Sequence, residues 1–278
     1  MSAGRLFMVG TPIGHLGDLT FRALETLQLA SVVVCEDTRR TRRLLTHYRI
    51  ERPLVSLHAH SAGSVVERLL DRVAAGESVA YVTDAGTPAI SDPGGQLAER
   101  AHARGLTVVP IPGPGAVLAA LSAAGFPADR FLFCGFLPRR GTARGALLAR
   151  IAGSEWTSVC YEAPGRAAQL LADLAASCGG EREAAVAREL TKLHEEVRRG
   201  TLAELAAYYR EHAPRGEITV VIGGGTAPEL APASEASAAD VATALAELEG
   251  KGAPAAVAKE LARRLGISRK DAYRLLTR

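Results

Sequence analysis

Residues 79–95 read VAYVTDAGTPAISDPGG, Val79 to Gly95, and the fold turns on this stretch. Val79-Ala80-Tyr81-Val82-Thr83 is a short apolar run of strand type. It passes at once into Asp84-Ala85-Gly86-Thr87-Pro88, and Ser91-Asp92-Pro93-Gly94-Gly95 follows before the next helical pattern. A strand ending in small residues and turn formers leaves free backbone at the carboxyl edge of a sheet, where open α/β folds take their ligands. A plain connector seldom needs two Pro, three Gly and two Asp around so little apolar anchor. The stretch is read as a binding loop in preference to a solvated connector.

Outward from it, short apolar runs recur at Leu6–Val9, Val32–Cys35, Leu54–Leu57 and Val108–Ile111. Helical patterns lie between them, with Gly76 and Gly105 closing two of the helices. Strand alternating with helix predicts a mostly parallel sheet with helices packed on it. Ile111-Pro112-Gly113-Pro114-Gly115 breaks the rhythm, and a helix is expected from Ala116. Further on, strands are expected at Phe131–Phe136, Ser158–Tyr161, Ala184–Ala187 and Ile218–Ile222. Helices are expected at Ala167–Ala176 and Leu202–Tyr209, giving a second α/β layer on a mixed sheet. The expected organisation is an N-terminal α/β domain (1–113), a second α/β domain (114–225), a Gly/Pro/Ala/Ser linker (226–237) and a basic helix-turn-helix-like domain (238–278). In the last, Val257, Leu261 and Leu265 fall at helical spacing. Ser268 is placed to cap a final helix bearing Ala272 and Leu275.

The 278 residues are 47% hydrophobic and 23% charged, enough apolar material for two ordinary cores; with only 5% aromatic, those cores rest on Leu, Val and Ala. Formal net charge is only +3, but residues 251–278 hold eight Lys or Arg against two acids, leaving 25 against 28 for residues 1–250. A nearly neutral body thus carries a basic tail. That tail reads as a solvated helical face, as a small capping bundle with no partner, or as a nucleic-acid contact through Arg269, Lys270 and Arg274; the basic excess favours RNA or DNA. Cys35, Cys134, Cys160 and Cys178 are far apart in or beside apolar runs, so buried thiols are expected, not bridges or metal ligands. MSAGRLFMVG lacks a signal-peptide core, and the longest apolar run, Ala116–Ala124, is too short to span a bilayer. A cytoplasmic location without membrane attachment is expected.

The first Gly-rich loop, Gly10-Thr11-Pro12-Ile13-Gly14-His15-Leu16-Gly17-Asp18, follows the first strand. Its glycine spacing fails the dinucleotide fingerprint, and no Lys-Ser or Lys-Thr makes it a phosphate loop. Asp18 is expected to cap the next helix. This loop, Asp84–Gly95 and Pro112–Ala116 should open on one sheet edge and enclose a single elongated molecule. They offer no cation cluster for a triphosphate, no HExxH and no Cys/His set, so no metal is expected. A pocket of main chain, small side chains and the hydroxyls of Thr87 and Ser91 suits a partly neutral or zwitterionic ligand.

In order along the chain stand GTPIGHLGD, CEDTRRTRRLL, TDAGTPAISDPG, PIPGPGA, FCGFLPRR, YEAPGR, RELTKLHEE and GEITVVIGG, from Gly10 to Gly224. This series resembles the tetrapyrrole-methylase superfamily of S-adenosylmethionine enzymes. Within it, the series is similar to the ribosomal RNA small-subunit methyltransferase I branch, which methylates a cytidine ribose 2′-hydroxyl. CEDTR together with DAGTPAISDPG is highly specific, and the basic carboxyl-terminal module is typical of that branch. The resemblance implies that Pro12 lies against the cofactor and that Gly86, Thr87, Ala89, Ile90 and Ser91 line its methionine side. Asp84 is counted with them. Gly115 and Ala116 approach after the fifth strand, and Tyr161, Leu190 and Thr191 close over from the second domain. The sequence departs from the branch at three places: His15 stands for the usual Asn, Gly115 for a common Ser, and Gly165 for a His. Only backbone roles are expected at Gly115.

A ribose hydroxyl is a poor nucleophile and gains from a positioned base. Glu36 and Asp37 end the second strand, and they read equally as bases or as partners of Arg39, Arg40 or Arg42. His58 and His60 read as satisfied structural histidines. Lys192 reads as a group orienting phosphate or hydroxyl, or as an ion-pair partner of Glu195 or Glu196. Arg39, Arg40, Arg42 and Arg43, with Arg139, Arg140 and Arg144, suggest a phosphate track; the alternative is a solvated, acid-paired face. The function expected is S-adenosylmethionine-dependent 2′-O-methylation of 16S ribosomal RNA by a homodimer acting on the assembled small subunit. Two rivals are a corrin-pathway C-methyltransferase and a nucleic-acid-binding regulator that senses S-adenosylmethionine.

Overall fold

The computed structural model describes residues 4–58 and 63–225, together with Val257, Glu260, Leu261 and Ala272. It divides into two compact units, Met1–Gly225 and Thr226–Arg278. The larger unit opens on a five-stranded, wholly parallel sheet of β1 (Arg5–Val9), β2 (Val32–Cys35), β3 (Leu54–Ser56), β4 (Ser78–Val82) and β5 (Thr107–Ile111), in the order β3-β2-β4-β1-β5. Between the strands run α1 (Phe21–Leu29), α2 (Thr38–His47), α3 (Gly63–Ala74) and α4 (Gly94–Ala103). Alternate residues of one strand feed opposite cores. Val32, Val34, Val79 and Tyr81 meet Leu69, Leu70, Val73 and Leu97 of α3 and α4. Val33, Cys35, Ala80 and Val82 meet Ala23 and Leu27 of α1 and Leu45 of α2. A strand covered on both faces must be apolar at every position, which is why VVVC and VAYV are unbroken runs.

Helix α1 is capped by Thr20, whose side chain accepts the Ala23 N–H at 3.1 Å, and not by Asp18 as expected. Asp18 lies in a single 3-10 turn over Leu16–Asp18, two residues too early to reach the helix amides.

The second sheet contains β6 (Phe131–Phe136), β7 (Thr157–Glu162), β8 (Glu183–Arg188), β9 (Glu196–Thr201) and β10 (Ile218–Ile222), in the order β6-β7-β10-β8-β9. It is mixed: β6 and β7 are parallel, and the remaining pairings are antiparallel. One face packs on α6 (Thr142–Ala152), α7 (Ala167–Cys178) and α8 (Leu202–Glu211). The other face is covered by α5 (Ala116–Ala124), so the helix that follows the Pro-Gly-Pro-Gly turn belongs to the second sheet. Ile13, from the loop after β1, enters that same apolar cluster beside Leu190 and ties the two halves of the unit together. Strand β9 and helix α6 stand in addition to the elements expected from the sequence. EVRRGT carries one strongly apolar residue, and as an edge strand it adds to its ladder with β8 the cross-strand ion pairs Glu196–Arg188 and Arg199–Glu183.

In the smaller unit the four described residues are helical, with Leu261 and Ala272 fully buried. The expected linker, Leu265, Ser268, Arg269, Lys270, Arg274 and Leu275 lie outside the described residues. No helix among the described residues is long and apolar enough to cross a membrane.

Candidate active site

Strands β4, β1 and β5 are neighbours, so the loops leaving their carboxyl ends meet. Thr11 and Gly86 form an antiparallel bridge, with N–H to O distances of 2.9 and 3.0 Å. Gly10 faces Gly113 so closely that a Cβ on Gly10 would lie 2.7 Å from the Gly113 Cα and N. The Thr87 hydroxyl donates to the Pro114 carbonyl at 3.2 Å. Three segments remote in sequence are thus locked, largely main chain to main chain, into one cradle.

Beyond the bridge the β4 loop is strained. Gly86 has φ 90°, and Ala89 and Ser91 take left-handed values of 71° and 68°. For a residue with a Cβ that conformation costs about 1–2 kcal/mol, and such cost gathers where function holds it in place. Thr87, Ala89, Ile90 and Ser91 are exposed, presenting this loop outward. A knot beneath it sets its path. The fully buried Tyr81 donates its hydroxyl to Asp92 at 3.0 Å, and Asp92 also accepts the Gly94 N–H at 2.7 Å. Burial, and then the Asp92 charge, raise the Tyr81 phenol far above its ordinary range, so it remains a proton donor to that carboxylate.

The second half supplies a covering segment, Glu189–Glu195. Glu189 and Thr191 are again left-handed, at 49° and 64°. Thr191 Oγ1 accepts the His15 N–H at 3.0 Å, and a Cβ on Gly14 would meet Lys192 Cγ at 2.6 Å and Thr191 Oγ1 at 2.7 Å. Tyr161 lies on β7 of the same sheet, its ring 5.1 Å from Phe133 and 5.4 Å from Phe136, and burial pushes its phenol pKa up. Pro12 and Leu190 are half-buried and buried, and Gly115 ends in extended backbone as the N-cap of α5, directly before Ala116. The structure therefore brings Pro12, Asp84, Gly86, Thr87, Gly115, Leu190 and Thr191 to one edge, with Ala89, Ile90 and Ser91 on the exposed rim.

The candidate acids separate. Asp37 caps α2 by accepting the Arg39 N–H at 2.8 Å and holds the Arg39 guanidinium at 2.9 and 3.2 Å. Those bonds, the guanidinium first, hold its carboxyl down to about 2. Asp84 accepts the Asp37 N–H at 2.9 Å and lies 3.8 Å from Arg40, so its carboxylate straps the end of β4 to the start of α2. Glu36 carries no hydrogen bond or ion pair on its carboxylate among the described residues. Lys192 pairs with Glu189 at 2.9 Å and Glu217 at 3.7 Å, not with Glu195 or Glu196. The turn folds Lys192 back onto Glu189; Glu195 accepts the Thr191 N–H instead, and Glu196 belongs to β9. His58 lies 2.8 Å from the Ser56 hydroxyl, and His60 is outside the described residues.

The arginines separate too. Arg39 and Arg40 face Asp37 and Asp84, while Arg42 and Arg43 line a shallow groove with Leu16, Thr46 and His47. Arg139 and Arg140 are exposed and make no hydrogen bond or ion pair among the described residues. Arg144, grouped with them from sequence, is instead locked to Asp173 at 2.6 Å and to the Pro138 carbonyl at 2.9 Å. Sequence reasoning missed the Tyr81–Asp92 bond, because Tyr81 reads as core within VAYV; Asp92 before Pro-Gly was the available signal.

A family profile described as Tetrapyrrole (Corrin/Porphyrin) Methylases matches residues 5–206. The chain is 44% identical to a "Ribosomal RNA small subunit methyltransferase I" of Xylella fastidiosa over 97% of this chain and 98% of that one. It is 43% identical to a Synechocystis protein of the same name over 98% and 97%. A Thermotoga maritima protein of that name, 43% identical, is matched over 99% of its own length but only 80% of this chain. Among solved structures, a cobalt precorrin-4 methyltransferase superposes with TM-score 0.62 at 20% identity, covering 79% of this chain and 94% of that one. A uroporphyrin-III C-methyl transferase from Thermus thermophilus, complexed with S-adenosyl homocysteine, gives 0.58 at 19% identity, over 82% and 100%.

Proposed function

The chain belongs to the tetrapyrrole methylase family and, within it, to the ribosomal RNA small subunit methyltransferase I family, and we propose that it methylates the 2′-hydroxyl of a cytidine ribose in 16S ribosomal RNA. It is an S-adenosylmethionine-dependent methyltransferase. The interlocked cradle is the chief support for placing the donor. The Gly10–Gly113 and Thr11–Gly86 contacts lock the loops into one edge, and the exposed turn carrying Thr87, Ala89, Ile90 and Ser91 offers main chain and two hydroxyls, without a cluster of cations, to a zwitterionic, elongated ligand.

In this reading Gly86, Thr87, Ala89, Ile90 and Ser91 hold the methionine side, with Asp84 fixing their approach. Pro12, Gly115 and Ala116 floor the site, and Tyr161, Leu190 and Thr191 cover it. When bound, S-adenosylmethionine offers a methyl group already activated on a sulfonium, so the protein's task is alignment and proton removal. Asp37 is a poor base while Arg39 and its own helix occupy it. Glu36 beside it, whose carboxylate has no hydrogen bond or ion pair among the described residues, takes that role, and Lys192, steadied by Glu189, orients the hydroxyl or an adjoining phosphate. Arg139 and Arg140, exposed and without an acid partner among the described residues, serve the RNA backbone; Arg39 and Arg40 contribute less because acids face them.

The enzyme acts in the cytoplasm as a homodimer on the assembled subunit. Residues 1–113 and 114–225 are its two α/β domains, and 226–237 link them to a basic module (238–278) in which Arg269 and Lys270 add RNA contacts. The test incubates the purified protein with methyl-labelled S-adenosylmethionine and small subunits lacking the modification. Label in a ribose of 16S RNA is expected. Label only in an added tetrapyrrole, or none, overturns the reading.

A further inference from the structure

We infer that Phe136 is the platform on which an unstacked nucleobase of the RNA substrate lies, next to the donor cradle; this rests on the RNA-methylating reading above. The parallel β6–β7 ladder pairs Phe131 with Thr157, Leu132 with Ser158 and Phe133 with Val159. Continued unbroken, it would set Gly135 opposite Tyr161, yet Phe136 stands there, so β6 holds one spare residue. Gly135 has a left-handed φ of 61° at that point. Strand side chains alternate between faces, and one extra residue sends each later side chain to the opposite face. Phe136 is carried onto the face of Phe133, Val159 and Tyr161, and Leu137 takes the buried place under the helices.

The consequence is an aromatic ring set in water. Phe136 is 54% exposed, its ring supported from one side by Tyr161. The bulge also meets the donor loop, since a Cβ on Gly135 would lie 3.8 Å from Ser91 Oγ. Three and four residues further on come Arg139 and Arg140, exposed and unpaired among the described residues. Leaving half of a Phe side chain in water forgoes part of its hydrophobic burial, and bulges re-aim side chains beside active sites. A ring for a base and free guanidiniums for the phosphates beside it are how single-stranded RNA is held. An apolar protein surface would leave both guanidiniums buried without partners, which is unfavourable.

The test compares Phe136→Ala and Phe136→Tyr with the unaltered protein. Phe136→Ala should raise the KM for unmodified small subunits by about five- to a hundredfold, the span of stacking energies per base. Its affinity for S-adenosylmethionine, measured by calorimetry, should not change, and Phe136→Tyr should keep the original KM. In a Trp156→Phe background, which removes the chain's single Trp, a Phe136→Trp variant should lose indole emission when subunits are added. An original KM in Phe136→Ala, or an unquenched indole, overturns the inference. So does a weakened donor affinity, which would put the ring against the donor instead. If the unaltered protein labels no RNA, the functional reading fails first and the inference with it.

Discussion

Replacing Gly10 by Ala tests whether the cradle depends on backbone contact. An ideal Cβ there would lie 2.7 Å from both Cα and N of Gly113 and 3.3 Å from the Pro112 carbonyl carbon. Carbon atoms in contact sit about 3.5–4.0 Å apart. The opposing atoms are main chain with no rotamer to yield, so the turns after β1 and β5 must part by about 1 Å. Such overpacking costs about 1–3 kcal/mol of stability, read as about 2–4 °C of melting temperature per kcal/mol in a chain of this size class. The larger effect falls on function. The Thr11–Gly86 bridge and the Thr87–Pro114 bond both hang on this spacing, and a 1 Å displacement of reacting groups costs about a hundredfold in rate. Thermal unfolding, calorimetric binding of S-adenosylmethionine and methyl transfer to small subunits would be measured together. Gly145→Ala is the control, because its Cβ meets nothing within 4 Å. If Gly10→Ala binds donor and turns over like the unaltered protein with no change in melting, the cradle is not held by main-chain proximity.

Neutralising Arg139 and Arg140 together should reduce the slope of log affinity against log salt by about 1.4, at about 0.7 per contact to single-stranded RNA; an unchanged slope removes both from the track. The Asp37 carboxyl, held at about 2 against an ordinary 3.8, is a depressed group. It adds stability that is fully present above the ordinary value and lost as pH falls through the folded one. Asp37→Asn should therefore remove the decline between about pH 4 and pH 2 and leave the neutral pH–rate profile unaltered. A profile that loses its acidic limb would instead mark Asp37 as the base. Tyr81→Phe should destabilise by about 1–3 kcal/mol in denaturant titration, because Asp92 loses its hydroxyl donor while its Oδ2 already lacks a partner among the described residues; stability equal to the parent protein's would show the bond to be idle.

The strands were legible wherever burial on two faces forces an unbroken apolar run, as in VVVC, VAYV and ITVVI. Strand β9 was not, because an edge strand held by Arg and Glu carries the pattern of a surface loop. The loops of the cradle announced themselves through Gly, Pro and small residues placed just after strands. What each charged side chain does was much less legible. Lys192 has Glu195 and Glu196 nearby in sequence, yet a left-handed Glu189 and Thr191 turn it toward Glu189 and Glu217. Arg144 looked like a companion of Arg139 and Arg140 until α7 brought Asp173 to it. Pairing across remote segments decides which cations remain free, and no local pattern carries that information.

The contact between Gly10 and Gly113 bears on how such a protein can diverge. A recess whose walls are peptide groups has no vocabulary of its own: side chains around it may be exchanged wholesale while its shape persists. Drift is then policed by volume, not by chemistry, at the few spots where even a methyl group has nowhere to go.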